Sequence, residues 1–506
     1  PRPAPRVRLP PRRGRATAGP AGREARLFKR LALIVAAAFL VLAAVVVLNT
    51  ARLRPEALGA ERPPPPVDAA AVDRLARAVR IPTISTDAGP PAPASLDAFH
   101  ALLASSYPRV HATLRRETVA GHSLLYSWPG SDPTAPALLL AAHQDVVPIE
   151  GDSAKLWTHP PFAGVVRDGF IYGRGTIDDK MSLVAILEAA ERMLARGVRP
   201  RRTVYLAFGH DEERGGSGAR AIASLLKQRR ARIGLAVDEG FAVLDGIIAG
   251  VDRPVALVGM AEKGYISVEL TARGAGGHSS MPVHDNAAVR IARAAGRLAD
   301  DPFPAELEGL SGDMLTALAP YMAWPQRAVL ANRWLFGGLV ERQLLANPRT
   351  AAALRTTTAL TILSAGTKDN VLPQSARAVV NHRIRPGETM ASVIARDRAV
   401  IGDAAVTVRA LPGGHDPSRP ASTASAGYRA LAALIRETYP HAPVAPGLVL
   451  GATDGRSYEG LAGSVLRFTP MVMRPDDLAR FHGNDERIAV ADYMRAIGFY
   501  EALMSR

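Results

Sequence analysis

The sequence predicts an α/β protein: a largely parallel sheet flanked by helices, a smaller ferredoxin-like α+β domain inserted into it, and a transmembrane helix ahead of both. Three observations carry that expectation. From about residue 70 to 260, short apolar runs alternate with helically spaced segments, the order of a parallel sheet covered on both faces. From 263 to 411 the order becomes strand, helix, two strands, helix, strand, a split βαβ arrangement. After Pro412-Gly413-Gly414 the first pattern resumes, so the smaller domain interrupts the larger one.

Residues 1–30 are rich in Arg, Pro, Gly and Ala without periodicity, a disordered basic tail. Leu31 to Leu48 are eighteen consecutive apolar residues, enough to cross a bilayer. A buried core helix is the bland alternative, but the Arg/Pro-rich flanks offer nothing to pack around it. A cleaved signal peptide is the other, but no small-x-small site follows the run. The segment therefore reads as an uncleaved anchor. Twelve Lys or Arg against one acid, Glu24, lie in residues 1–54. The N-terminus is thus expected to stay cytoplasmic, with the body periplasmic or extracellular. Residues 49–66 form a linker that ends in the stiff run Pro63 to Pro66.

Of the whole chain's net charge of +15, only about +4 remains for the body after residue 54, which argues against nucleic acid as a partner. The chain has no cysteine. Disulfides, thiolate metal sites and cysteine nucleophiles are excluded, and any metal must be held by His, Asp and Glu.

The larger domain is expected over 67–262 and 412–506. Its elements are strand Ala137–Ala142, helix Met181–Arg196, strand Thr203–Phe208, helix Ser217–Lys227 and strand Ile233–Val237. Helix Ser425–Thr438, strand Val465–Phe468 and helix Ala489–Met504 complete it. The smaller domain carries strand Tyr265–Ala272, helix Asn286–Leu298, strands Thr358–Leu363 and Ala376–Ile384, helix Met390–Val400 and strand Ala404–Ala410. A mostly helical insertion is expected at 301–355.

Polar clusters follow several of these strands, where open α/β sheets place ligands. His143, in Ala142-His143-Gln144-Asp145, is a natural zinc ligand, and Asp145 is placed to hold the far imidazole nitrogen. Asp178 and Asp179 stand at a helix start, as capping residues or as a carboxylate bridging two metals. In His210-Asp211-Glu212-Glu213 one glutamate suits a metal and its neighbour a general base. Asp238-Glu239 follows a third apolar strand, and His482 lies near the C-terminus. His278 sits in a glycine-flanked loop, as a turn residue or an oxyanion donor. Arg383 suits a substrate carboxylate and Asn370 a polar clamp. GxSxG, HExxH and P-loop motifs are absent.

The motifs AHQDVVP, GRGTIDDK, GHDEERGGSGA, VDEG, GHSSMP, NHRIRPGET and FHGNDERI, spread from 143 to 488, resemble the co-catalytic zinc peptidases that include aminoacylases, carnosinases and succinyl-diaminopimelate desuccinylases. The nearest branch resembles carboxypeptidase S and the secreted N-acyl-amino-acid hydrolases. That resemblance implies a zinc-peptidase-like catalytic domain and two zinc ions per subunit. The matching ligands are His143, Asp178, Glu213, Asp238 and His482, with Asp178 bridging. Glu239 is the other acid of the fourth motif, and family members differ over which of the two serves. Asp145 matches the orienting acid and Glu212 the general base. His278, Asn370 and Arg383 match substrate-binding positions. One loop departs from the pattern, with Ser457 where the family often has His. The implied reaction cleaves an amide or peptide bond beside a free carboxylate, as a carboxypeptidase or dipeptidase does. An N-acyl-amino-acid amidohydrolase, able to run in either direction, is the second enzymatic reading. A membrane-tethered binding protein on an inactive scaffold is the third. The inserted domain is expected to act as a lid and to form a homodimer.

Overall fold

A computed structural model of the chain describes residue 4 and residues 20–506. Most of the expected basic tail lies outside the described residues. Its last part is continuous with the apolar run, because one helix spans Pro20–Arg52.

The body is built on an eight-stranded sheet. Its strands are β1 (Arg115–Val119), β2 (Ser123–Trp128), β3 (Ala137–His143), β4 (Val204–Gly209), β5 (Ile233–Leu244) and β6 (Val255–Glu262). Two more come from late in the chain. The second sheet lies between them in sequence, as β7 (Gly264–Arg273), β8 (Thr357–Ala365), β9 (Ser375–Ile384) and β10 (Val406–Ala410). The late strands of the large sheet are β11 (Val444–Val449) and β12 (Val465–Met473). The spatial order of the large sheet is β1-β2-β4-β3-β5-β12-β6-β11. β3 runs parallel to β4 and β5, β12 parallel to β5, and β11 parallel to β6. β1, β2 and β4 pair antiparallel in turn at one edge.

Alternation along β3 shows why this strand sits in the middle. Leu138, Leu140 and Ala142 enter one core with helices Lys180–Ala195 and Val490–Ser505. Ala137, Leu139 and Ala141 face the other way, against helix Ser217–Gln228. Burial on both faces removes polar positions from the strand, which is why it reads as an unbroken apolar run. Its first polar side chain comes at its carboxyl end, where His143 stands, itself buried.

The second sheet has the order β8-β9-β7-β10, antiparallel throughout. Helices Ala287–Asp300 and Met390–Ile401 pack against one face through Ile291, Ala294, Leu298 and Val393. This is the ferredoxin-like order. Four helices, Gly309–Leu318, Trp324–Ala331, Arg333–Leu345 and Pro348–Leu354, precede β8, filling the stretch expected to be helical.

The crossing from the large sheet to the small one is a single residue. β6 ends at Glu262 and β7 begins at Gly264. Lys263 between them is 1% exposed, and its ammonium donates to the carbonyls of Ala352 and Arg355 at 2.8 and 2.7 Å. Burial lowers its pKa to about 8. The unfolded chain keeps that proton up to about 10.5, so it binds more protons than the folded chain across this window, and stability gains with rising pH. Lys263→Met is expected to lack that gain. Denaturation midpoints of wild type and variant, compared at pH 8 and pH 10, measure it; parallel pH dependence would refute the assignment.

Candidate metal centre

The site forms at the carboxyl ends of β3 and β4 and at a bulge within β5, which runs on past the expected end at Val237 to Leu244. His143 and Asp145 are 1% and 0% exposed. The His143 Nδ1 lies 2.9 Å from the Asp145 carbonyl and 3.3 Å from its carboxylate. That carboxylate also accepts from Ser85 Oγ at 2.6 Å and from the Glu212 and Glu213 backbone N–H groups at 3.0 and 3.2 Å. Asp145 therefore fixes the imidazole and the glutamate loop against each other.

Asp178 sits in the turn before helix Lys180–Ala195 and divides its two oxygens. Oδ1 is 2.7 Å from His143 Nε2, and Oδ2 is 2.9 Å from His482 Nε2. Glu239 Oε1 approaches His143 Nε2 at 3.2 Å, and Glu213 Oε1 approaches His482 Nε2 at 3.5 Å. Two clusters of ligand atoms result, His143–Asp178–Glu239 and Asp178–Glu213–His482, sharing Asp178. Its carboxyl is held far below the usual range by the two imidazoles, against the opposing effect of burial. His482 is raised to about 10 by its bonds to Asp178 and Glu213.

Glu239 occupies the place that the sequence reading gave to Asp238. The cause is a bulge. Asp238 pairs with Arg467, and the next register pair is Phe241 with Phe468, so Glu239 and Gly240 have no partner on β12. Gly240 takes φ +143°, and a Cβ there would lie 2.7 Å from the Arg467 Cβ. The bulge re-aims one side chain, and Glu239 swings to His143. Asp238 remains buried beside Gly455, outside both clusters.

The His482 loop is fastened by Glu486, which sequence reasoning quoted in a motif but gave no role. Its Oε1 accepts from the N–H groups of Gly175, Ile177 and Asp178 at 2.9, 2.7 and 3.3 Å. Its Oε2 takes a 2.5 Å bond from Arg174 Nη1, and Arg174 Nη2 reaches the His482 and Gly483 carbonyls. His482 itself has φ +58°, an uncommon conformation for a residue with a Cβ, which these contacts support. Glu486→Ala is expected to keep the fold and weaken metal affinity roughly 10–100-fold. Titration in chelator-buffered zinc measures this; unchanged affinity would remove Glu486 from the site.

Asp178, Glu213 and Glu239 bring three carboxylates against two imidazoles, and a cation held among them would offset the repulsion of like charges out of water. Glu213 Oε1 is buried without a hydrogen-bond partner. The donor set is all nitrogen and oxygen, suited to zinc. The residues fit a metal pair.

Glu212 belongs to the same loop. Burial pushes its carboxyl up, helped by the carboxylates of Asp454, Glu213 and Asp178. A cavity of about 580 Å³ adjoins the loop, lined by Arg214, Arg220, Lys263, His415, Arg456 and Ser457 among others. Ser457, the position that departs from the family pattern, thus faces open space.

The remaining expected residues lie apart. Arg383 is half-buried on β9, its guanidinium 4.8 Å over the Tyr265 ring, and its charge is felt by Lys263 and His415 at the cavity. His278 is exposed in a two-residue strand paired with Val371–Leu372, its Nδ1 2.8 Å from Ser280 Oγ. Asn370 is exposed beside it, and its carbonyl accepts from Ser279 N–H.

Residues 139–506 match the model of peptidase family M20/M25/M40. The chain is 38% identical over 437 residues to the N-fatty-acyl-amino acid synthase/hydrolase PM20D1 of Xenopus tropicalis, covering 86% of this chain and 85% of that one. It is 38% identical over 411 residues to the probable carboxypeptidase S-like 2 of Dictyostelium discoideum, covering 80% and 78%. In structure it resembles the M20 family metallo-carboxypeptidase Sso-CP2 of Sulfolobus solfataricus, with a TM-score of 0.62, 19% identity, and 86% and 98% of the two chains covered.

Proposed function

The chain belongs to peptidase family M20/M25/M40, a hydrolase of amide or peptide bonds beside a free carboxylate, and we propose that it works with two zinc ions sharing Asp178. The observation that carries this is the divided carboxylate, with one oxygen at each imidazole. His143, Asp178 and Glu239 would hold one ion, and Asp178, Glu213 and His482 the other. When bound, the metals supply Lewis-acid activation of water and of the scissile carbonyl. Glu212 takes the proton of the attacking water and passes it to the leaving amine. Asp145 keeps the His143 ring and the Glu212 backbone in register. Arg383 and Asn370 select the substrate carboxylate, and His278 donates to the oxyanion.

His278 meets a metal centre through a second copy of the chain. The edge strand β8 leaves Leu360, Ile362 and Leu363 at 47%, 45% and 57% exposure, an apolar strand edge of the kind that pairs with another.

The second reading of the acyl group, an N-acyl amino acid, is supported by the 38% identity to an N-fatty-acyl-amino acid synthase/hydrolase, as the first is by equal identity to a probable carboxypeptidase S-like protein. Hydrolysis by the zinc-loaded protein of dipeptides and of N-acyl amino acids of increasing chain length separates the two. Turnover of neither class would refute the proposed reaction.

The helix Arg26–Arg52 contains an eighteen-residue window with a mean hydropathy of 3.2, and that window is unburied. It anchors the protein in a single pass. Ten of the twelve basic residues precede Leu31, which keeps that end cytoplasmic and places the body periplasmic or extracellular.

A further inference from the structure

Resting on the reading that Arg26–Arg52 crosses a bilayer, we propose that helices Trp324–Ala331 and Arg333–Leu345 lie in the headgroup region of that same bilayer, seating the body on the lipid surface. The depth is set by a contact. Asn332, between the two helices, bonds Asn49 at 2.9 Å and the Val46 carbonyl at 3.2 Å. Val46 lies in the last turn of the apolar run and Asn49 directly follows its end, so whatever depth they occupy, Asn332 shares. That depth is the boundary between hydrocarbon and water. Asn332 itself is 0% exposed, so the junction is packed.

The surface at that level is apolar in a way water does not explain. Trp324, Trp334, Leu335 and Leu339 are 57%, 63%, 41% and 56% exposed. Apolar side chains surround helix Arg333–Leu345, yet of its thirteen residues only Val340 is buried. Seven of its residues are apolar and four are charged or polar, a mixture that suits the boundary between lipid and water. Exposed tryptophans with flanking arginines are the usual composition of a membrane interface. Residues 324–349 carry Arg327, Arg333, Arg342 and Arg349 against one acid, Glu341, which complements anionic headgroups. An apolar cleft of about 350 Å³, lined by Met322, Val329, Leu330, Leu339 and Leu344 among others, opens between these helices and offers room for a lipid acyl chain.

The four tryptophans make this measurable. Trp128 and Trp157 are 3% and 8% exposed, so the other two report on the surface. The full chain is placed in phosphatidylcholine–phosphatidylglycerol vesicles, with and without brominated acyl chains, and tryptophan emission is recorded after a carbonate wash. The expected result is that the chain stays on the vesicles and bromine quenches its emission. The Trp324→Phe/Trp334→Phe variant, with hydrolysis retained as its test of folding, is expected to lose most of that quenching. A chain retained by the vesicles whose emission ignores bromine overturns the seating and leaves the anchor standing. That holds whether iodide in the water reaches these tryptophans or a second copy of the chain shields them. A chain removed by the wash overturns the anchor, and the seating with it.

Discussion

Asp178→Ala is expected to abolish metal binding and hydrolysis together. The carboxylate stands between two imidazoles, at 2.7 and 2.9 Å from its separate oxygens, so one truncation removes a ligand from both clusters at once. What remains is Glu239 with His143 and Glu213 with His482, two incomplete pairs of ligands with no group joining them. Loss of residues that merely support a metal ligand costs roughly 10–100-fold in affinity or activity; loss of the shared ligand should exceed that for each ion. Elemental analysis of the purified variant should show its metal content collapsing, with turnover at background. A variant that still binds two ions per chain would mean that Asp178 does not bridge them.

Glu212→Gln is expected to separate binding from chemistry. Glutamine keeps the volume and the backbone N–H that bonds Asp145, so the loop and Glu213 stay in place. Metal content should therefore match wild type, and KM should change little. Only the proton acceptor is gone, and kcat should fall by roughly 10²–10⁴. The pH profile gives a second readout. Burial and three neighbouring carboxylates hold the Glu212 carboxyl above its ordinary 4.5. A base must be unprotonated to act, so wild-type activity rises with pH through a limb above that value, and the variant lacks the limb. A variant with wild-type turnover and an unchanged limb would transfer the role of base to another group.

The sequence displays the large sheet because its central strands are buried on both faces. β3 and β4 are apolar throughout and stop at His143 and His210, and the abruptness of those endings marked the site. The small sheet was legible through its order of elements, and the helices of 309–354 through their composition. Other features left no local trace. The preference for Glu239 over Asp238 arises from a bulge against β12, more than two hundred residues later in the chain. Two adjacent acids cannot announce which will be turned inward. Glu486 was equally hidden, because its work is to accept backbone N–H groups from a loop some three hundred residues earlier. Gly240 was the available signal for the bulge, a glycine directly after two acids in a strand.

The central claim is that two cations sit side by side across Asp178. Anomalous diffraction at the zinc edge, from crystals of the zinc-loaded chain, tests it most directly. Two peaks roughly 3.5–4 Å apart are expected, one touching His143 and Glu239, the other Glu213 and His482, with Asp178 between. A lone peak, or a pair that Asp178 does not join, would contradict it.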